Sequence, residues 1–192
     1  MKKILFLWTV IIPLISIALS GLLYAADIKI GVIYPMSGPT AQAGLDDKHA
    51  IELALDIINT GKYQHLNLPL AKSGGGLPNL GGAKVTVIFT DHQGKPDLGL
   101  SEAERLITQE KVVALFGCYQ SAVTETASMV AERMKVPFFN AESSSPRLTR
   151  RGFKWFFRSS PHDETFSEGM FKCLSDLEKQ RGAKFFNTIA VM

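Results

Sequence analysis

The chain has 192 residues, 46% of them hydrophobic and 20% charged, with a formal net charge of +3. That balance allows a packed core and excludes a disordered or strongly basic polypeptide. No basic stripe with interleaved aromatics is present, which argues against a nucleic-acid partner.

Met1-Lys2-Lys3 is followed by an apolar run over residues 4–23, and Tyr24-Ala25-Ala26 precedes the first acidic residue, Asp27. A basic start, an apolar stretch and small residues at the end describe a secretory signal peptide over residues 1–26. The same run has the length of an uncleaved membrane anchor, but its charged start and Ala-Ala end favour cleavage. The expected location is periplasmic or otherwise extracytoplasmic. No cysteine lies near the cut, so a lipid anchor is not expected. About 166 residues remain, enough for one domain.

The remainder alternates strand and helix. Residues 28–34 read as a strand ended by Pro35-Met36-Ser37-Gly38-Pro39. Ala50, Leu53, Ala54, Ile57 and Ile58 then follow the helical period. Residues 62–82, with Ser73-Gly74-Gly75-Gly76 and Gly81-Gly82, read as a long surface loop. A strand at 85–89 ends in Thr90-Asp91-His92-Gln93-Gly94, and Leu100, Ala103, Leu106 and Ile107 mark the next helix. The continuous apolar run at 112–116 has the character of a strand buried on both faces. Val123, Thr126, Ala127, Val130, Ala131 and Met134 share one helical face, and a further strand begins at Val136. Strands separated by helices imply an α/β fold, an open parallel sheet flanked by helices.

A second unit is expected from Lys154, with Phe166, Met170, Cys173, Leu174 and Leu177 as a helical stripe and residues 185–192 as a strand. One unpaired apolar strand leaves core surface bare, so a nearly complete first lobe over 27–153 and a shortened second lobe over 154–192 are expected. Cys118 and Cys173 give no disulfide framework; two buried free thiols are expected. Arg147, Arg150, Arg151 and Lys154 read as a solvated turn face, and Asp46-Asp47 as helix-opening carboxylates that complement the dipole.

Enzymatic motifs are missing. The first strand leads into prolines where a glycine-rich phosphate loop would stand, and no Walker sequence or nucleophile elbow occurs. His49, His65, His92 and His162 stand singly, without metal spacing, and read as solvated or structural. No metal, cofactor or catalytic residue is expected. Two polar loops do better, because ligands of open α/β sheets sit beyond the carboxyl ends of the strands. Gly117-Cys118-Tyr119-Gln120-Ser121 follows the third strand, with Ser121 placed to cap the next helix and Tyr119 to add an aromatic wall. Asn140-Ala141-Glu142-Ser143-Ser144-Ser145-Pro146 follows the fourth. Hydroxyls beside one carboxylate suit a zwitterion, with Glu142 for its ammonium. For any one serine, capping or loop structure explains the residue equally well; the convergence of both loops at one sheet edge, with Ser37-Gly38, is what points to a ligand.

Residues 28–32 leading to Met36-Ser37-Gly38-Pro39, the block from Gly82 to Gly94, Ala114-Leu115-Phe116-Gly117 with Ser121, Val136-Pro137-Phe138, Ser144-Ser145-Pro146-Arg147-Leu148-Thr149 and Phe157-Arg158 together resemble the type I periplasmic binding proteins of branched-chain amino acid transport. The resemblance covers nearly everything after the leader. It implies the substrate-binding component of an ABC importer, with an amino acid or related small amide held between two closing lobes and delivered to permease subunits. It carries over Ser121 and Ser144 as ligand contacts, with Glu142 and Ser143 as neighbours and Gln42 beside them. Glu142 stands where a small residue is usual in the amino acid binders, Gln120 replaces another, and the 62–82 loop is longer than usual. The alternatives are a membrane-anchored or regulatory sensing domain of the same fold, and a fragment that does not function. A lone lobe covers one side of a ligand, so weak binding or none is expected.

Overall fold

The computed structural model describes residues 26–184 and residue 188. The leader and nearly all of the strand expected at 185–192 lie outside the described residues. The described residues contain β1 (Ile28–Tyr34), α1 (Ala41–Thr60), β2 (Val85–Asp91), α2 (Pro96–Thr108), β3 (Ala114–Gly117), α3 (Ser121–Met134), β4 (Phe138–Asn140), β5 (Phe156–Arg158) and α4 (Asp163–Arg181). The five strands form one sheet in the order β2-β1-β3-β4-β5. Pairing is parallel between β1 and β3, β3 and β4, and β4 and β5. The expected fold class is the observed one.

Among the described residues, two compact units emerge. One holds the chain up to Ile28 together with Ala50–Thr86, and the other Lys29–His49 with the chain from Val87 onward. In the first, the expected long loop is structured. It carries 3-10 turns at Ala71–Ser73 and Pro78–Leu80 and an antiparallel bridge between Leu77 and Ala83. The Asn59 side chain donates to the Val85 carbonyl at 2.7 Å and accepts from the Val85 amide at 2.9 Å, and the Gly76 amide reaches the Ile58 carbonyl at 2.7 Å. Leu68, Pro69 and Leu70 face the apolar side of α1 at Ala54, Ile57 and Ile58. Turn-rich composition marks an absence of long elements, and backbone bonds of this kind leave no periodic trace.

The second unit holds the main core, with Ile33, Leu106, Leu115, Val123, Val130 and Phe138 at its centre. Full burial of one such side chain contributes roughly 1.5–3 kcal/mol. Two glycines let backbones close on their neighbours. A Cβ at Gly99 would collide with Val123 of α3, and one at Gly44 would collide with the Pro35 carbonyl. Gly44 therefore lets α1 begin against the loop after β1, nine residues before the periodic stripe that starts at Ala50. Asp46 and Asp47 consequently lie beyond the first turn of α1, not at its opening.

Three further expectations change. Phe156–Arg158, expected to open a second lobe, pairs with β4 as the fifth strand of this sheet. Cys118 is buried but Cys173 is exposed, because α4 buries none of its residues. Arg151 is not a solvated charge. Its guanidinium lies 4.2 Å from the Phe153 ring centroid and bonds the carbonyls of Leu148 and Glu125 and the Ser128 hydroxyl.

Candidate functional site

Parallel strands send the loops after β1, β3 and β4 out at one sheet edge, and hydrogen bonds tie the segments at this edge together. Asp91, the last residue of β2, accepts from the Met36 amide at 2.8 Å, the Ser37 hydroxyl at 2.6 Å and the Gln93 amide at 2.9 Å. Burial alone would raise its pKa. The hydroxyl and amide donors outweigh that and hold it below the usual value. The neighbouring His92 is fully buried, its Nδ1 accepting from the Gly94 amide at 2.9 Å, and burial lowers its pKa. It is a structural histidine. His162 is another, accepting from the Thr165 amide at the start of α4.

The loop after β3 leads directly into α3. Gln120 occupies the cap position without a side-chain cap, and Ser121 is already the first helical residue, so the expected capping role of Ser121 is not observed. Instead the Ser121 hydroxyl accepts from the Ser145 amide at 3.3 Å. Gln120 donates through Nε2 to the Thr40 hydroxyl at 2.8 Å, reaching the segment before α1. Tyr119 keeps an exposed ring.

The loop after β4 is anchored from below. Asn140 donates to the carbonyls of Gly117 and Cys118, both at 3.0 Å. The Ser143 hydroxyl is fully engaged, bonding the carbonyls of Cys118 and Tyr119 at 2.9 and 3.0 Å and the Thr124 hydroxyl at 2.6 Å. It is a strut between the two loops, which removes its side chain from direct contact with a ligand. Arg158 braces the other side, donating to the carbonyls of Ser143 and Ser145 at 3.3 and 2.8 Å and to the Thr149 hydroxyl at 3.1 Å. Ser144 is half-buried between these braces, its carbonyl accepting from Asp163 at 2.9 Å.

Glu142 lies within hydrogen-bonding reach of Asp47 on α1. Burial, then the Asp47 carboxyl, push its pKa up to about 8. Ser121, Ser143, Ser144, Glu142 and Tyr119 are thus gathered on two adjoining loops. Gln42, on the first turn of α1, is exposed, and its amide donates to Asp46 one turn along the helix at 2.8 Å. Sequence reasoning missed Asp91, Thr124, Arg158 and Asp47. A carboxylate at a strand's end beside Ser37 was a usable signal for Asp91. The other three act through partners six or more residues away, which no local pattern reveals. Among the described residues, no group of three His, Cys, Asp or Glu side chains could hold a metal ion, and no helix is long and apolar enough to cross a membrane.

A parallel sheet flanked by helices, with polar loops and a helix N-terminus at its carboxyl edge, places the chain in the class of open-sheet α/β folds, whose ligands sit beyond the carboxyl ends of the strands. Within that class the chain belongs to the periplasmic binding protein family, whose model matches residues 27–190. Over 150 residues it is 31% identical to the Leu/Ile/Val-binding protein homolog 7 of Brucella abortus, covering 78% of this chain and 33% of that relative. Homolog 8 of the same organism is 31% identical over 157 residues, covering 80% and 35%. Among solved structures, the branched-chain amino acid transporter substrate-binding protein LivJ of Streptococcus pneumoniae, in complex with isoleucine, is 26% identical. It matches with a TM-score of 0.60 over 71% of this chain and 34% of its own. An ABC-transporter solute-binding protein of Rhodopseudomonas palustris, in complex with 3,4-dihydroxybenzoic acid, is also 26% identical, with a TM-score of 0.56 over 71% and 32%. The chain spans about a third of the length of the curated relatives it matches.

Proposed function

We propose that this chain forms the first lobe of an extracytoplasmic substrate-binding protein, exported by residues 1–26, that captures a small carboxylate-bearing solute for an ABC importer. The solute is an amino acid of the branched-chain type or a related small molecule, and the permease subunits are the protein partner. The observation that carries this reading is the 3.3 Å bond from the Ser145 amide to the Ser121 hydroxyl. It joins the first turn of α3 to the hydroxyl run after β4 and makes one cradle of two loops.

In that cradle the amides of Ser121 and Ala122, which open α3 and have no partner inside the helix, attract a carboxylate. The hydroxyls of Ser121 and Ser144 add donors, Tyr119 supplies a wall, and Glu142 faces the cationic end of the solute. Ser143 stiffens the cradle from behind. Isoleucine and dihydroxybenzoic acid, bound by the two relatives, share a carboxyl group and little else, which supports the carboxylate as the common end. A second lobe, opening after Arg158, closes over the solute and selects its side chain.

Ligand-observed NMR on the full chain tests this, with isoleucine, 3,4-dihydroxybenzoate and glucose as probes. The two carboxylates are expected to bind on the order of 1 mM, about −4 kcal/mol, because half a cleft covers half a ligand. Binding of glucose as strong as that of isoleucine, or no contact with either carboxylate, contradicts the proposal.

A further inference from the structure

The cradle is rich in acceptors that have no donor. Asp47 Oδ2 and Glu142 Oε2 are both buried without a hydrogen-bond partner, although the two carboxyls lie within reach of each other. Asn140 is 1% exposed, and with its Nδ2 spent on the carbonyls of Gly117 and Cys118, its Oδ1 is left buried and unpartnered. Gln120 Oε1 is a fourth such atom. Native proteins leave few buried polar atoms unpaired, since each costs about 1–3 kcal/mol. Of these four acceptors, those of Asp47 and Glu142 belong to carboxyls that lie within reach of each other, a pair suited to a donor that carries positive charge.

We propose that Asp47 and Glu142 share one proton in the empty cleft and exchange it for the cationic head of the solute, so that capture releases a proton to the solvent. Two carboxyls in contact cannot both carry full charge in a partly buried place, so a proton held between them satisfies the pair. A primary ammonium has three N–H donors and one positive charge. It supplies donors to both carboxylates, and the displaced proton leaves to bulk buffer. The pair then goes from one negative charge to two, balanced by the ammonium.

The other titratable groups around the pair do not replace that proton. The Tyr34 phenol on β1 has its ionisation pushed up by its own burial and then by Glu142, Asp47 and Cys118, so it stays neutral. The Cys118 thiol is likewise raised by burial. The Arg158 guanidinium is committed to the carbonyls of Ser143 and Ser145 and to Thr149. Asp46 is occupied by Gln42.

The cation's role rests on reading these loops as a solute cleft, whereas the shared proton does not. A carboxyl-carbon NMR titration of the full chain separates the two. In the free protein the upper step of the pair is expected near about 8. Asp47→Asn should return Glu142 towards the ordinary range. Two independent ordinary titrations in the unmodified chain overturn the shared proton. Saturating methylammonium chloride is then compared with tetramethylammonium chloride, which has the same charge and no N–H donor. Methylammonium is expected to lower the upper step by roughly one pH unit, a tenfold change in proton affinity, and tetramethylammonium to leave it in place. Equal shifts with both salts, or none with methylammonium, overturn the exchange while leaving carboxylate capture to its own test.

Discussion

Two helices of this chain carry the same kind of apolar stripe and meet different fates. In α3, Val123, Ala127, Val130 and Ala131 are buried against Leu106, Leu115 and Phe138. In α4, Phe166, Met170, Phe171 and Leu177 are exposed, and no residue is buried. A 3.6-residue period states that one face of a helix is apolar, and it does not say what covers that face. For α3 the cover comes from the sheet and from α2, within the same stretch of sequence. The loops after β3 and β4 adjoin the covered helix, through the Ser145 amide on the Ser121 hydroxyl.

The contrast can be tested by mutation and titration. The largest effect is expected for Phe138→Ala, under α3, which should cost about 3–5 kcal/mol by denaturant unfolding. Phe166→Ser on α4 should stay within about 0.5 kcal/mol, and similar losses at the two positions would break the comparison. Next comes Arg158→Met, which leaves the carbonyls of Ser143 and Ser145 without their donor. A loss of about 1–3 kcal/mol is expected, and an unchanged midpoint would show that the brace is dispensable.

A smaller effect concerns pH. The folded pKa of Glu142 is raised above the unfolded one, so the folded state binds more protons between roughly the ordinary carboxylate range and about 8. Its contribution to stability is present at low pH and is lost as pH rises through that window. Melting temperature should fall across it, and Glu142→Gln should flatten the slope; a rising slope would contradict the sign. The smallest perturbation is chemical. A thiol reagent should label exposed Cys173 in the native chain and buried Cys118 only on unfolding, because burial keeps that thiol protonated. Equal labelling rates would erase the distinction.

Much of this was legible in the sequence where the cause is local. The run at 112–116 predicts a two-face-buried strand; β3 lies between β1 and β4 with Leu115 fully buried, but Ala114 and Phe116 are half-buried and Val113 lies before the strand, exposed. The turn residues after each strand marked the loops that hold Ser121, Glu142 and Ser144. What stayed hidden depends on distant partners. Ser121 looked like a helix cap, but its hydroxyl receives the Ser145 amide from 24 residues away. Asp47 looked like a dipole-complementing residue, but α1 begins earlier and turns it towards Glu142. Gln42 stands after Gly38-Pro39, and its amide has a same-helix partner in Asp46 that its loop position did not suggest. Cys173 followed an apolar period into an expected core that α4 does not have.

The central claim is that the two loops after β3 and β4 grip the carboxylate end of a solute. Amide-resolved NMR of the full chain with increasing isoleucine tests it most directly. The account predicts that the amides of Ser121, Ala122, Ser144 and Ser145 shift together and saturably, while those of α4 remain still. Shifts confined to the exposed stripe of α4, with the cradle unmoved, would contradict it.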